Sequence, residues 1–327
     1  MTREELLQIS KPEKLFSGNL IQIKKQYRSL ALLWHPDRNK ENNSSVVFAH
    51  ITNLYEQLIS KIESGKCDEP NNIILQGEDK TRKIYFVTHK EFELGDMYIG
   101  ETHITFLVNY KYEKFWNNFI THNDWTFLSD KIKKYLTRSL PNPISFKTSS
   151  HLCIQVQKDR ELLLLNDVLQ YYKTLDPKHV AWILNRLFNI VCYLQTQKIV
   201  HNDISLDSCF INPEKHELSL FGGWWYSTKF DEKLSHLPVR TFKYLPYSVT
   251  HKKTADPLID LECLKACGRE LLGASLGPEP MLRWLNRAAD GTAIQQYKEW
   301  EDLLNKCFGP RKFHKLELNF KQLYEEN

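Results

Sequence analysis

Apolar residues in the first part of the chain recur at three- and four-residue steps. Leu20, Ile23, Tyr27, Leu30 and Trp34 share one helical face at that spacing, and Phe48, Ile51, Tyr55, Leu58 and Ile62 repeat it after the polar stretch DRNKENNSS. Two amphipathic helices joined by a polar loop bury such faces by packing antiparallel. The period lapses across 64–80, SGKCDEPNNIILQGEDK, where Ser, Gly, Pro, Asn and charge gather, and we read a linker there. Beyond it KIYFVT and HITFLVNY, rich in β-branched and aromatic residues, predict strands. Helical spacing returns from about residue 160 in ELLLLNDVLQYY and then in VAWILNRLFNIVCYL, which follows Asp176-Pro177, a start signal with proline early in the helix. Two short strands are expected at CFIN and ELSLF, and the chain from Leu258 onward reads as mostly helical. No period of 20–50 residues recurs, which excludes a solenoid.

Composition narrows the class. A chain of 327 residues with a 42% hydrophobic share can build two or three packed domains. The net charge of +4 comes from 44 basic and 40 acidic residues mixed along the chain, not from the basic block of a nucleic-acid tail, so no nucleic-acid partner is expected. The start, MTREELLQIS, has no signal-peptide pattern and no apolar run is long enough for a membrane span, so we expect a cytoplasmic protein without a membrane partner. Seven scattered cysteines without a CxxC pair fit reduced thiols, and Cys263 and Cys267 read as buried side chains one helical turn apart. No metal or cofactor is expected. His201 and His216 are read as imidazoles bonded to backbone carbonyls.

His35-Pro36-Asp37 falls where the first long helix must end, because proline disfavours the α conformation in the residue before it and cannot continue the hydrogen-bond ladder. The run IKKQYRSLALLWHPDRNKENN followed by FAHITNLYEQL resembles the J domain of the DnaJ family over about sixty residues: basic second helix, His-Pro-Asp loop and aromatic third helix stand in order. The resemblance implies that His35, Pro36 and Asp37 engage a DnaK-type chaperone while Lys24, Lys25 and Arg28 meet an acidic surface on it. Clustered cations steer such an encounter and a fixed polar turn supplies geometry. Tyr27, Leu30, Phe48 and Ile51 are assigned to packing. No Gly/Phe-rich stretch or CxxCxGxG array follows, so client selection falls to the rest of the chain.

The stretch IVHNDISLDSCFINPEKHELSLFGG resembles the catalytic loop and metal-binding turn of protein kinases. Asp203 stands where the resemblance implies the base. Ser208 replaces the asparagine that helps hold magnesium, and Leu220-Phe221-Gly222 replaces the Asp-Phe-Gly turn, so the metal carboxylate is missing. Charge on a transferring phosphoryl group would go largely uncompensated, which argues against the usual chemistry. The helix ending at VCYLQTQKIVH resembles the one before the catalytic loop, and Asp260 resembles the buried aspartate that anchors that loop. The small lobe matches less: Gly95 and Gly100 read as strand turns in preference to a phosphate cradle, Lys111 is the candidate nucleotide-binding lysine, and Asp124 and Asp130 stand in place of the helix glutamate. YLPYSV occupies the end of the activation segment with serine for glutamate. GGWWYS reads as core filling. The fusion resembles bacterial and bacteriophage proteins that join a J domain to a degenerate kinase-like domain, and GPRKFHKL resembles their C-terminal signature.

The expected architecture is multidomain: an all-α J-domain hairpin at 1–64, a linker at 65–81, and an α+β bilobal kinase-like domain at 82–327 with its small lobe at 82–158 and large lobe at 159–327. The expected function is a co-chaperone that stimulates a DnaK-type ATPase, with a pseudokinase that binds a client or targets the activity, and no enzyme activity of its own. An atypical phosphoryl or nucleotidyl transferase using Asp203, and a nucleotide-sensing switch without catalysis, are the alternatives.

Overall fold

The computed structural model describes residues 3–16, 20–39, 44–63, 71–77, 80–121, 125–273, 277–310 and 312–326. The chain divides into two compact units, one comprising Met1–Phe92, Asp96–Glu101 and Lys147–Ser150, the other Glu93–Gly95, Thr102–Phe146 and His151–Asn327.

In the first unit, helices α1 (Arg3–Leu7), α2 (Leu20–Trp34) and α3 (Ser44–Glu63) precede the strands β1 (Asn72–Gln76), β2 (Thr81–Tyr85) and β3 (Thr88–Phe92). The helical core holds Leu6, Phe16, Ile23, Trp34, Val47, Ile51, Leu54 and Leu58, with Tyr27, Leu30, Tyr55 and Ile62 packed at its margin. Tyr27 and Tyr55 stack face to face with centroids 4.1 Å apart, joining α2 to α3 on the predicted faces. Val47 and Leu54 widen the buried stripe of α3 beyond the five positions that the spacing picked out. β1 lies within the stretch read as linker. Its run Ile73-Ile74-Leu75 pairs antiparallel with Ile84, Lys83 and Arg82 of β2 respectively, and the surrounding Asn, Gly and charge hid a strand of only five residues.

Of β4 (Gly95–Ile99), Asp96–Ile99 belong to the first unit and Gly95 to the second, which continues through β5 (His103–Asn109), α4 (Glu113–Thr121), α5 (Asp130–Leu136), β6 (Pro143–Lys147) up to Phe146, and β7 (His151–Gln157). β5 and β7 run antiparallel in register from His103↔Gln157 to Asn109↔His151. A Cβ on Gly95 would lie 1.9 Å from the Leu107 carbonyl oxygen, so glycine there serves a close backbone approach. There follow β8 (Leu163–Leu164), α6 (Leu165–Tyr172), α7 (Pro177–Thr196), β9 (Ile199–Val200), β10 (Cys209–Asn212), β11 (Glu217–Leu220) and β12 (Thr228–Lys229), then α8 (Val239–Phe242), α9 (Tyr247–Lys252), α10 (Leu258–Leu272), α11 (Glu279–Asn286), α12 (Ala293–Phe308) and α13 (Phe320–Tyr324). Leu163 and Leu164, expected in a helix, instead pair with Ile211 and Phe210 of β10; in a short, fully apolar run, periodicity does not separate strand from helix.

α7 is the spine of this unit. Asp176 caps its N-terminus by accepting from the Lys178 backbone N–H at 2.8 Å, with Pro177 at the first helical position. Val180, Ile183, Leu184, Leu187, Phe188 and Val191 are all buried, so the helix is apolar round most of its circumference. Among the described residues no helix is long and apolar enough to cross a membrane.

Candidate functional site

The first candidate site is the turn that ends α2. His35 leaves the helix, Pro36 blocks its continuation, and the His35 carbonyl accepts from the Arg38 and Asn39 backbone N–H groups at 2.9 and 2.8 Å. The Asp37 backbone N–H donates to His35 Nδ1 at 3.2 Å, and the Asn39 side chain donates back to the Leu33 carbonyl at 3.2 Å. The turn is therefore held by its own hydrogen bonds while its side chains face outward: 44% of the His35 side chain and 88% of that of Asp37 is exposed. The His35 ring rests edge-on against Phe48 of α3, at 5.4 Å between centroids, which orients the imidazole. Lys24, Lys25 and Arg28 are exposed on α2, as expected. Lys25 Nζ meets Glu91 Oε1 at 2.6 Å, and that hydrogen bond raises the lysine's pKa. No spacing on α2 could have announced a partner 66 positions away.

The second candidate site is the loop after β9. Asp260, on α10, accepts the backbone N–H of His201 at 2.8 Å and of Asn202 at 2.9 Å, anchoring the loop as the resemblance implied. Burial pushes the Asp260 carboxyl up to about 7 against the pull of those two donors. Asn202 sits in the left-handed region at φ 66° and its amide donates to the Tyr226 carbonyl at 2.8 Å. His201 Nε2 bonds the Gly222 carbonyl at 3.0 Å and His216 Nε2 bonds the His314 carbonyl at 2.9 Å, the carbonyl partners expected of both imidazoles.

Asp203 is buried and already engaged. Arg240 Nε donates to its Oδ1 at 2.7 Å and Arg240 Nη2 to its Oδ2 at 2.9 Å, a bidentate pair that takes both carboxylate oxygens. Arg240 Nη1 continues to Asp207 Oδ2 at 2.8 Å, and Asp207 accepts from Asn166 on its other oxygen at 2.6 Å. Burial pushes the Asp203 carboxyl up to about 6, opposed by Arg240. Burial would lower the guanidinium, but Asp203 and Asp207 more than restore it and leave Arg240 firmly charged. Ser208 is turned into the loop itself, its hydroxyl donating to the Ser205 carbonyl at 3.0 Å and accepting from the Ser205 N–H at 2.9 Å.

Glu93, between β3 and β4, closes on the same region. It accepts from the Tyr226 hydroxyl at 2.7 Å and from the Val239 N–H at 3.0 Å, beside Arg240. Gly223 has φ 81°, and a Cβ there would lie 2.6 Å from His201 Cε1 and 2.9 Å from Asp203 Oδ2, so the LFGG turn packs directly on the loop. Trp224 and Trp225 are buried, Trp225 against Phe106 and Phe119 at 4.9 and 4.8 Å, which places GGWWYS in the core. Lys111 lies on the turn after β5, exposed, with Nζ 4.7 Å from the Tyr112 ring centroid. It does not belong to the Asp203 cluster, and β5 itself carries no lysine. Asp130 is exposed at the start of α5, and Asp124 lies outside the described residues. Among the described residues no group of three His, Cys, Asp or Glu is arranged to hold a metal ion.

Arg240, Glu93 and Asp207 were missed by sequence reasoning. Arg240 lies 37 positions from Asp203 on the single-turn helix α8, too short to show a period, so only the three-dimensional closure reveals the pair.

Comparison with known proteins agrees with both halves. Residues 6–64 match the DnaJ domain family. Among solved structures, that of vaccinia related kinase 3 is similar with a TM-score of 0.54 at 13% identity, covering 77% of this chain and 96% of that one. At that identity the likeness concerns the fold. No curated protein sequence matches the chain.

Proposed function

From a chain that carries a J domain at residues 6–64 followed by a mixed α/β kinase-like fold, we propose a co-chaperone. It recruits a DnaK-type chaperone through His35, Pro36 and Asp37, with Lys24, Lys25 and Arg28 steering the encounter, and stimulates that partner's ATP hydrolysis. The observation that carries this reading is the self-bonded, outward-facing His35–Asp37 turn on a DnaJ-type helical hairpin. A fixed turn costs little conformational entropy on binding, and exposed cations raise the on-rate more than the affinity.

The kinase-like domain acts in this reading as a client-binding or targeting module without catalysis. Support comes from Asp203: a general base must offer a lone pair to the substrate hydroxyl, and both of its oxygens are held by Arg240. Ser208 and Leu220 supply no carboxylate or amide for magnesium. The test of the first half is association of the full chain with a DnaK-type chaperone in ATP, which His35→Gln is expected to lose while its thermal unfolding stays at the wild-type temperature. Equal association by the variant would overturn the reading. The second half fails if magnesium-dependent label transfer from ATP appears in wild type and vanishes in Asp203→Ala.

A further inference from the structure

A cavity of about 450 Å³ opens in the second unit away from the Asp203 loop, walled by α7, α12 and the segment after Gly309. Its lining includes Lys178, Trp182, Asn185, Arg186, Lys312 and Phe313, and none of its lining residues is acidic. The volume falls within the range of small-molecule sites, about 300–1,000 Å³.

Three features make this wall a built one. First, the His216 ring lies flat between two aromatic planes: Trp182 at 4.3 Å and 5° on one side, Phe313 at 4.1 Å and 20° on the other. Phe313, the outermost layer, is 64% exposed, an unusual state for a ring held in a parallel stack. Burial lowers the pKa of His216, which favours the uncharged ring in the stack. Second, His216 keeps φ 50°, a left-handed conformation that side chains rarely adopt, in the hairpin between β10 and β11. Third, Asn185 is 9% exposed on the cavity wall and its buried Oδ1 meets no donor among the described residues. At the mouth, neither Lys178 nor Lys312 pairs with a carboxylate among the described residues.

Flat apolar surfaces, an unsatisfied carboxamide and unneutralised cations together specify a ligand that is planar, polar at its edge and negatively charged. We propose that this cavity binds a small planar aromatic anion of mononucleotide size, its ring extending the Trp182–His216–Phe313 stack, an edge N–H or carbonyl meeting the Asn185 carboxamide, and its anionic group between Lys178 and Lys312. The proposal stands apart from the co-chaperone reading and from the Asp203 loop.

The test is titration calorimetry on the full chain with adenosine and guanosine 5′-monophosphates and the corresponding uncharged nucleosides. At least one monophosphate is expected to bind, with its nucleoside about tenfold weaker or more, a difference of about 1.4 kcal/mol. Lys312→Glu and Phe313→Ala, both at exposed positions, are expected to weaken binding about tenfold each without moving the unfolding temperature. Asn185→Leu is expected to lose binding while leaving the unfolding temperature unchanged or higher, the reverse of what a structural asparagine would give. The proposal is overturned if no monophosphate binds at millimolar concentration. It is equally overturned if binding is indifferent to Lys312→Glu and Phe313→Ala, which would place the nucleotide elsewhere, or if Asn185→Leu only unfolds the protein.

Discussion

Arg240 grips Asp203 with two nitrogens, at 2.7 and 2.9 Å, and occupies the carboxylate that a kinase would turn toward its substrate. The pair is lopsided: the Asp203 side chain is 2% exposed and that of Arg240 40%. Removing the guanidinium strands a buried carboxylate, whereas removing the carboxylate leaves a cation that can turn to water.

Arg240→Ala is therefore expected to destabilise the fold by about 2–3 kcal/mol, below the about 3–5 kcal/mol of a fully buried pair because water screens the exposed arginine. Asp203→Asn should cost less, and the double variant should fall short of the sum by about 1 kcal/mol or more. Urea denaturation of the four proteins measures the coupling, and strict additivity would show that the pair does not hold the loop. In the proposed non-catalytic reading, restoring access to Asp203 in Arg240→Ala should yield no phosphoryl transfer, because Ser208 and Leu220 offer no magnesium ligand.

Gly223 and Gly309 form a natural contrast. Both have positive φ, at 81° and 68°, but an added Cβ at Gly223 meets His201 and Asp203 while one at Gly309 meets open space. Alanine at 309 should cost about 1 kcal/mol from backbone strain alone, and alanine at 223 at least about 2 kcal/mol, since the loop must also shift. Equal losses in denaturant melts would contradict the packing of the LFGG turn on the loop.

Acid should loosen the second unit through His179. Its folded pKa, lowered by burial with His314 adding to the effect, lies near 4, below the unfolded value of 6.5. Across that window the unfolded chain binds the proton and the folded one does not, so stability is full above about pH 6.5 and declines as pH falls toward 4. Asp203 and Asp260, with raised pKa values, contribute the opposite slope. The comparison of wild type with His179→Phe isolates the histidine: the variant should lose less stability between pH 6.5 and 4, and parallel pH profiles would refute the assignment.

The Lys25–Glu91 contact places an acid on the helix proposed to meet an acidic chaperone surface. Both side chains are largely exposed, so Glu91→Ala should leave thermal stability unchanged. It should also raise the association rate with the chaperone by about two- to threefold at low ionic strength, with the gain vanishing near 0.5 M salt. Stopped-flow association at two salt concentrations reads this directly, and an unchanged rate would show that Glu91 does not screen the site.

Much of this was legible in the residues because the strongest local signals are also architectural. The α2 and α3 stripes, the Asp176-Pro177 start of α7, the β10 and β11 strands and the loop anchor Asp260 all follow from period, capping or motif. Residues 72–76 and 163–164 were misread because their strand character rests on partners, β2 and β10, not on their own spacing. The candidate sites divide the same way. His35-Pro36-Asp37 is local, a turn fixed by proline and its own hydrogen bonds, and reads directly from the chain. Arg240 on Asp203, Glu93 on Tyr226 and the ring stack on His216 join positions far apart in sequence, and each residue alone looks like an ordinary loop side chain.

The most direct test of the central claim is single-turnover ATP hydrolysis by a DnaK-type chaperone in the presence of the purified full chain, run beside His35→Gln. The account predicts acceleration by the wild type of about tenfold or more, equivalent to about 1.4 kcal/mol off the barrier, and none by the variant. Equal acceleration by both proteins, or none by either across several chaperones of this type, would contradict it.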